Sequence, residues 1–187
     1  MNEKEKMLSG ELYNPLKDGL ALERENAKRQ CFKYNNTPPN NTLKRIGIIS
    51  KLLGKTGEKF WIEQPFQCDY GYNIEIGENF YSNHNLIILD PAKVTFGDNV
   101  FIGPNCGFYT PEHPLDAQTR ITGLEYAKPI TIGNNVWFGG NVVVLGGVSI
   151  GDNVVIGAGS VVTKDIPANT VAVGNPCKVI KELAPTL

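Results

Sequence analysis

The chain has few of the features that direct a protein to nucleic acid, a membrane or a structural metal. It carries 18 Lys and Arg against 19 Asp and Glu, and a formal net charge of −1 provides no field for polyanions. No apolar run approaches the length that crosses a bilayer. The four cysteines are scattered and form no C-x-x-C motif. We therefore expect a cytoplasmic protein with reduced thiols that binds neither nucleic acid nor membranes.

An apolar residue recurs at every sixth position in the second half of the chain. The series is Ile132, Phe138, Val144, Ile150, Ile156 and Val162. Neither the 3.6-residue period of a helix nor the two-residue alternation of a paired strand produces this spacing. A period of six is typical of a parallel β-helix, in which each hexad forms a short strand and a corner. Three hexads per coil predict features that recur every 18 residues, as the segments 130–135 and 148–153 do.

The repeat is interrupted twice. Ile76 and Phe96 are 20 residues apart rather than 18, which predicts a two-residue bulge near residues 83–91. The hexads stop after Phe108 and resume in phase at Ile132. Residues 110–129 have no usable period, and the spacing leaves open whether they form an extruded loop or an irregular coil. A long loop on a rigid scaffold usually carries function.

Helical spacing replaces the hexads in residues 1–56. It predicts a short helix over Glu3–Leu8, a second with a buried face from Leu20 to Tyr34, and a third from Leu43 to Leu53. The pair Asn14-Pro15 is typical of a helix start and is expected to open the second helix. Such a helical cap would cover one end of a solenoid.

The sequence therefore predicts a mainly β fold in three parts. A helical cap spans residues 1–56, and a parallel β-helix spans 57–174 with the aperiodic segment 110–129 inserted in it. Residues 175–187 form a tail, in which a short helix is expected from Lys178 to Leu183.

Several stretches resemble a known family. The segments that carry the resemblance are Glu5–Tyr13, Asn79–Asn85, His113–Asp116 and Gly123–Pro129. They are similar to the hexapeptide-repeat acyltransferases, and more narrowly to the maltose and galactoside O-acetyltransferases. The resemblance implies a left-handed β-helix that forms a homotrimer, with three active sites in clefts between subunits. It also implies direct, metal-free transfer of acetyl from acetyl-CoA to a sugar hydroxyl, with a maltose- or glucose-like acceptor.

A hydroxyl that attacks a thioester near neutral pH needs a general base, and histidine is the natural choice. The chain has two histidines, His84 and His113. The resemblance places His113 at the catalytic position, with Asn83 as its polar partner, and leaves His84 peripheral. It also places Gly140 where a backbone N–H serves the developing oxyanion.

The resemblance and the chemistry of the side chains together supply the candidate binding residues. Acetyl-CoA contacts are expected from Ala158, Thr163, Lys164, Lys178 and Lys181. Acceptor contacts are expected from Asp69, Tyr81, Glu125 and Arg24. Pro91 stands where a relative carries an acidic residue, so the identity of the sugar stays open. The neighbouring Asp90 is expected to be structural and to face the corner at Asn85.

Three alternatives share the scaffold. A γ-type carbonic anhydrase needs three zinc-binding histidines at its subunit interfaces, whereas this chain has two. Xenobiotic acetyltransferases act on antibiotic hydroxyls, but they resemble the stretch Gly123–Tyr126 less well. A non-catalytic solenoid that only binds is the third alternative.

Overall fold

Short strands wind into a left-handed parallel β-helix with three flat faces, in a computed structural model that describes residues 1–184. The first face contains β1 (Phe60–Ile62), β4 (Phe80–Ser82), β7 (Phe101–Ile102), β12 (Trp137–Phe138), β15 (Val154–Ile156) and β17 (Thr170–Val173). The second contains β2 (Phe66–Cys68), β5 (Leu86–Leu89), β8 (Gly107–Tyr109), β13 (Val143–Leu145) and β16 (Val161–Val162). The third contains β3 (Ile74–Glu75), β6 (Val94–Phe96), β11 (Ile130–Ile132) and β14 (Ser149–Ile150).

The chain runs from the first face to the second, then to the third, and back to the first. We call the corner between the first and second faces the first corner, that between the second and third faces the second corner, and the remaining one the third corner. Asparagines with a positive φ occupy the first corner, as at Asn105 and Asn141, and the third corner, as at Asn99 and Asn135. At the third corner the amide side chains stack, with Asn99 donating to Asn135 over 3.0 Å.

The predicted hexad residues line the core, which confirms the six-residue period. All six residues of the series from Ile132 to Val162 are buried. A ladder of rings follows the axis: Phe80, Phe96, Phe108 and Phe138 meet edge-to-face at centroid distances of 5.2, 4.9 and 5.3 Å. Each such ring pair adds about 0.5–1.5 kcal/mol to the stabilisation that burial provides.

The irregular features of the β-helix lie at the second corner. Ile74 pairs with Val94 and Ile88 pairs with Phe108, and both pairs are 20 residues apart. The two extra residues must lie in the stretch that both spans share, which runs from Ile88 to Val94. The bulge therefore lies at the end of the predicted segment 83–91 and extends past it.

The aperiodic segment is an extruded loop at this same corner. Tyr109 pairs with Leu145 and Ile130 pairs with Val94, so residues 111–128 leave the coil without disturbing its register. The loop contains the antiparallel strands β9 (Pro111–Glu112) and β10 (Tyr126–Ala127) and the short helix α4 (Ala117–Arg120). Its base is closed where Lys128 N donates to Thr110 O over 3.0 Å.

Three helices form the cap: α1 (Glu3–Ser9), α2 (Leu20–Asn35) and α3 (Thr42–Leu52). The prediction that Asn14-Pro15 opens α2 is wrong. The side chain of Asn14 accepts from Leu16 N over 3.0 Å in a tight turn, and α2 begins after Gly19, whose φ is +82°.

The apolar spacing that predicts the third helix from Leu43 matches the buried face of α3 only in part. Leu43 is 86% exposed, and Arg45 is buried in its place. The Arg45 guanidinium donates to Ile62 O over 3.1 Å and to Glu63 over 3.3 Å. Arg45, and not Leu43, therefore lies on the side of α3 that contacts the first coil.

The predicted tail helix over Lys178–Leu183 is wrong. Residues Lys178–Glu182 form a strand, β18, which pairs antiparallel with β17. Gly174, with a φ of +103°, lies where the chain reverses between the two strands. The tail thereby pairs the last edge of the first face, which would otherwise present unpaired backbone groups. None of the helices within residues 1–184 has the length and apolarity needed to cross a membrane.

Candidate active site

Most of the predicted site residues fall into two groups on different corners of the prism. Asn83, Gly140 and Ala158 share the first corner, because the strands that precede them pair in register through Ser82, Ile102, Phe138 and Ile156. Asp69, Thr163 and the loop that carries His113 and Glu125 leave from the second corner. The width of the second face separates the two groups within one chain.

His113 lies in the loop and is half exposed. Its Nδ1 is 3.1 Å from Leu124 O. Because a carbonyl oxygen only accepts hydrogen bonds, Nδ1 must carry the proton, and in the neutral ring Nε2 then holds the free lone pair. Nε2 is 4.0 Å from a carboxylate oxygen of Glu125. This assigned tautomer is the one that a general base acting through Nε2 requires.

Glu125 is tied to the cap. Its Oε1 accepts from the Tyr13 hydroxyl over 2.5 Å. The two residues also form a backbone bridge, in which Tyr13 N donates to Glu125 O over 2.9 Å and Glu125 N donates to Tyr13 O over 3.2 Å. The other carboxylate oxygen, Oε2, faces His113.

Arg24 and Asp69 complete this group. Arg24 Nη1 donates to the Tyr70 hydroxyl over 2.7 Å. Burial raises the pKa of Asp69; the nearby Arg24 opposes this rise and Glu125 adds to it. The structure therefore brings together four predicted residues, His113, Glu125, Asp69 and Arg24, which we call the acceptor group. Its carboxylates accept hydrogen bonds and its guanidinium donates them. Such a mixture suits the hydroxyl groups of a sugar.

Asp90 supports the turn that carries Asp69. Its buried carboxylate accepts from the backbone N–H groups of Asp69, Tyr70 and Gly71 over 3.0, 2.8 and 2.7 Å. Burial raises its pKa to about 6, against the effect of these donors. The residue is structural, as expected, but it faces the second corner and not the corner at Asn85.

Gly140 lies at the first corner two coils beyond Asn83, since Ser82 pairs with Ile102 and Ile102 with Phe138. Within residues 1–184, no hydrogen bond engages the N–H of Gly140. A Cβ at this position would come within 3.3 Å of Pro104. The lack of a side chain thus leaves room beside a free backbone donor, which is the requirement for stabilising an oxyanion.

Asn83 does not meet His113 within one chain. Its side-chain oxygen accepts from His84 N over 2.7 Å at the first corner. Tyr81 is also apart from the acceptor group of its own chain. It faces outward on the first face, in register between Trp61 and Phe101.

The expected acetyl-CoA contacts are exposed and lie towards the C-terminal end of the β-helix. Ala158 lies at the first corner, and Thr163 and Lys164 lie beyond β16 at the second. Lys178 and Lys181 lie on β18, beside the first face. Among the residues that the structure describes, no cluster of three or more His, Cys, Asp or Glu side chains could hold a metal ion.

Sequence reasoning missed Tyr13 and Tyr70 as neighbours of the site. Tyr13 contacts a carboxylate 112 residues away, a separation that no local period signals. Tyr70 directly follows the predicted Asp69, and this adjacency is the signal from which its place beside the site could have been predicted.

Comparisons with known proteins identify the family of the cap and of the repeat. Residues 6–57 match the family described as maltose acetyltransferase hexapeptide capping motif, and residues 129–164 match six repeats of the bacterial transferase hexapeptide. The galactoside O-acetyltransferase of Escherichia coli strain K12 is 47% identical over 179 residues, which is 96% of this chain and 88% of that protein.

Solved structures are similar over nearly the whole chain. A maltose O-acetyltransferase from Clostridium difficile 630 has a TM-score of 0.98 and 54% identity, covering 99% of both chains. A galactoside acetyltransferase in complex with coenzyme A has a TM-score of 0.96 and 46% identity, covering 98% of this chain and 92% of that one. With its helical cap, its six-residue repeat and its extruded loop, this chain is an acetyltransferase that belongs to the maltose and galactoside O-acetyltransferase family.

Proposed function

We propose that the protein transfers an acetyl group from acetyl-CoA directly to a hydroxyl of a maltose- or glucose-like sugar. The observation that carries this proposal is the His113 imidazole, whose Nδ1–H is held by Leu124 O while Nε2 has no hydrogen-bond partner within residues 1–184. Nε2 lies beside Glu125, in the group that includes Asp69 and Arg24. An imidazole with this tautomer, next to several hydroxyl-binding groups, suits proton removal from a sugar.

The donor would lie along the C-terminal coils. The coenzyme A complex of the galactoside acetyltransferase supports this choice of donor. In this chain the free N–H of Gly140 would receive the thioester oxygen, and Ala158 lies in register one coil further on. Lys164, Lys178 and Lys181 are exposed and would attract the phosphates as point charges.

The site would be completed by a second subunit. Asn83 and Gly140 lie at the first corner, whereas His113 lies at the second, so one chain alone holds only half of the proposed constellation at each corner. Packing the first corner of one chain against the second corner of the next unites both halves. A cyclic arrangement of three such chains closes with three equivalent clefts.

The outer surface of the first face supports this assembly. Phe101 and Trp137 pair in register and are 48% and 54% exposed. An exposed aromatic stripe of this kind is costly in water and is a common mark of an interface. The homotrimer we propose would cover at least part of it.

The reaction would proceed in one covalent exchange. His113 Nε2 takes the proton of the sugar hydroxyl as the oxygen attacks the thioester carbonyl, and Gly140 N–H donates to the resulting oxyanion. The tetrahedral intermediate then expels the thiolate of CoA, which takes the proton from the imidazolium. No hydrogen bond within the described residues links His113 to a serine or cysteine, so no protein nucleophile is invoked.

An acceptor panel tests the proposal. The purified protein and acetyl-CoA are incubated with maltose, glucose, a galactoside and a hydroxylated antibiotic, and the release of CoA thiol is measured. We expect maltose or glucose to give the highest kcat/KM and a mono-acetylated sugar by mass spectrometry. A preference for the antibiotic, or no acetylated sugar at all, would contradict the proposed acceptor class.

A further inference from the structure

A small cap core lies directly beneath the acceptor group. It consists of Met7, Tyr13, Leu20 and Tyr70, and it is separate from the long core of the β-helix. All four side chains are at most 3% exposed. The two tyrosines bring the polar atoms of this otherwise apolar cluster, and each hydroxyl is bonded to a predicted acceptor residue.

Tyr13 fixes one oxygen of Glu125. Its hydroxyl donates to Oε1 over 2.5 Å, and burial raises the pKa of Tyr13, so the phenol keeps its proton. A hydrogen bond to an ionised carboxylate is among the strong ones. With Oε1 occupied, Oε2 remains for His113 or for an acceptor hydroxyl.

Tyr70 fixes one branch of Arg24. Its hydroxyl accepts from Nη1 over 2.7 Å, and burial raises the pKa of Tyr70 to about 12. The ring of Tyr70 also lies under the guanidinium, with its centroid 5.7 Å from Cζ. The backbone N–H of Tyr70 is held in turn by Asp90 over 2.8 Å.

We propose that Tyr13 and Tyr70 are positioning residues, which hold Glu125 and Arg24 in the orientation that binds the acceptor. Neither tyrosine need touch the sugar, because both act through the charged side chain they hold. This inference rests on the proposed function, since it assigns Glu125 and Arg24 to acceptor binding. It makes the helical cap part of the specificity machinery as well as a cover for the solenoid.

The variants Tyr13→Phe and Tyr70→Phe remove only a hydroxyl from each ring. Tyr72→Phe is the matched control, because the Tyr72 ring lies 5.5 Å from that of Tyr70 but its hydroxyl donates over 2.6 Å to Glu23, which is not a predicted acceptor residue. Initial rates are measured with acetyl-CoA and the best sugar of the panel. Loss of one charge-assisted hydrogen bond should raise the acceptor KM roughly tenfold in each of the two variants. The KM for acetyl-CoA should stay within about twofold, since the donor is bound elsewhere.

A double-variant comparison separates positioning from a merely structural role. If Tyr13 acts through Glu125, then Tyr13→Phe should change the acceptor KM much less in a Glu125→Ala background. Equal effects in both backgrounds, an unchanged acceptor KM in both Phe variants, or an equal rise in both KM values would overturn the proposal.

A spectroscopic arm does not depend on the identity of the acceptor. The chain has two histidines, so the imidazole Cε1–H resonances of His113 and His84 can be resolved by NMR. At fixed pH, Tyr13→Phe should shift the His113 resonance, because the freed Glu125 carboxylate moves relative to Nε2, and should leave that of His84 in place. If wild type acetylates no sugar, the proposed function fails, and an unmoved His113 resonance then separately overturns the positioning role of Tyr13.

Discussion

Replacing His113 with alanine should lower kcat by roughly 10²–10⁴-fold, the usual contribution of a general base. The KM for acetyl-CoA should change little, because the imidazole would contact the reacting hydroxyl and not the donor. The side chain is 54% exposed, so the free energy of unfolding should stay within about 0.5 kcal/mol of wild type. Steady-state kinetics and thermal unfolding measure the two effects.

His84→Ala is the matched control for this prediction. His84 is the other histidine of the chain, and its Nδ1 pairs with Gln64 O over 2.6 Å on the first corner. The account expects near-normal turnover from this variant. A His113→Ala protein that retained most of its kcat would place the base elsewhere.

Mixed assemblies should recover activity that neither parent variant has. We expect Asn83→Ala to lower kcat roughly 10²-fold or more, by analogy with the loss of a polar group that stabilises the transition state. In the proposed trimer each cleft takes Asn83 from one chain and His113 from its neighbour. Random co-assembly of the Asn83→Ala and His113→Ala chains in equal amounts then gives native residues in about a quarter of the clefts. Activity should accordingly return to about a quarter of wild type.

The control for this prediction is a mixture of the two variants after each has assembled by itself. Without exchange of chains, every cleft keeps one substitution and the rate should stay at the level of the parents. If co-expressed chains were equally inactive, Asn83 and His113 would act within one chain. That result would contradict the shared cleft, and light scattering would show whether the protein forms trimers at all.

The six-residue period made the β-helix predictable because parallel coils repeat both burial and hydrogen bonding. Ile132 and Phe138, for example, are one hexad apart and both are buried. The extruded loop was predictable in position, since the register resumes in phase at Ile132. Its conformation was not, because residues 111–128 have no repeat and are held at their base and by the distant Tyr13.

The errors arose where tertiary contacts override local pattern. The segment from Lys178 to Glu182 was predicted as a helix from its local sequence, but the open edge of β17 provides hydrogen-bond partners that favour a strand. Leu43 fits the apolar spacing of α3, yet Arg45 is buried there because it reaches Ile62 O. In both cases the contact is with a different element, β17 or the first strand, and a local sequence period carries no information about such contacts.

The candidate site was predictable only in part. His113 could be singled out because a loop histidine combines suitable chemistry with a break in the repeat, and the family resemblance supplied its role. The division of the site between two corners follows from strand register, as for Asn83 and Gly140, and is visible only in the fold. Asp90 has the structural role expected of it, but its three backbone donors cannot be derived from sequence spacing.

Initial-rate kinetics test the central claim of direct transfer most directly. Acetyl-CoA is varied at several fixed concentrations of the best sugar acceptor, and double-reciprocal plots are compared. If His113 activates the hydroxyl while the thioester is bound beside it, both substrates must be present together, and the account predicts lines that intersect. Parallel lines, supported by an acetylated protein that accumulates without acceptor, would show an acetyl-enzyme intermediate and contradict the account.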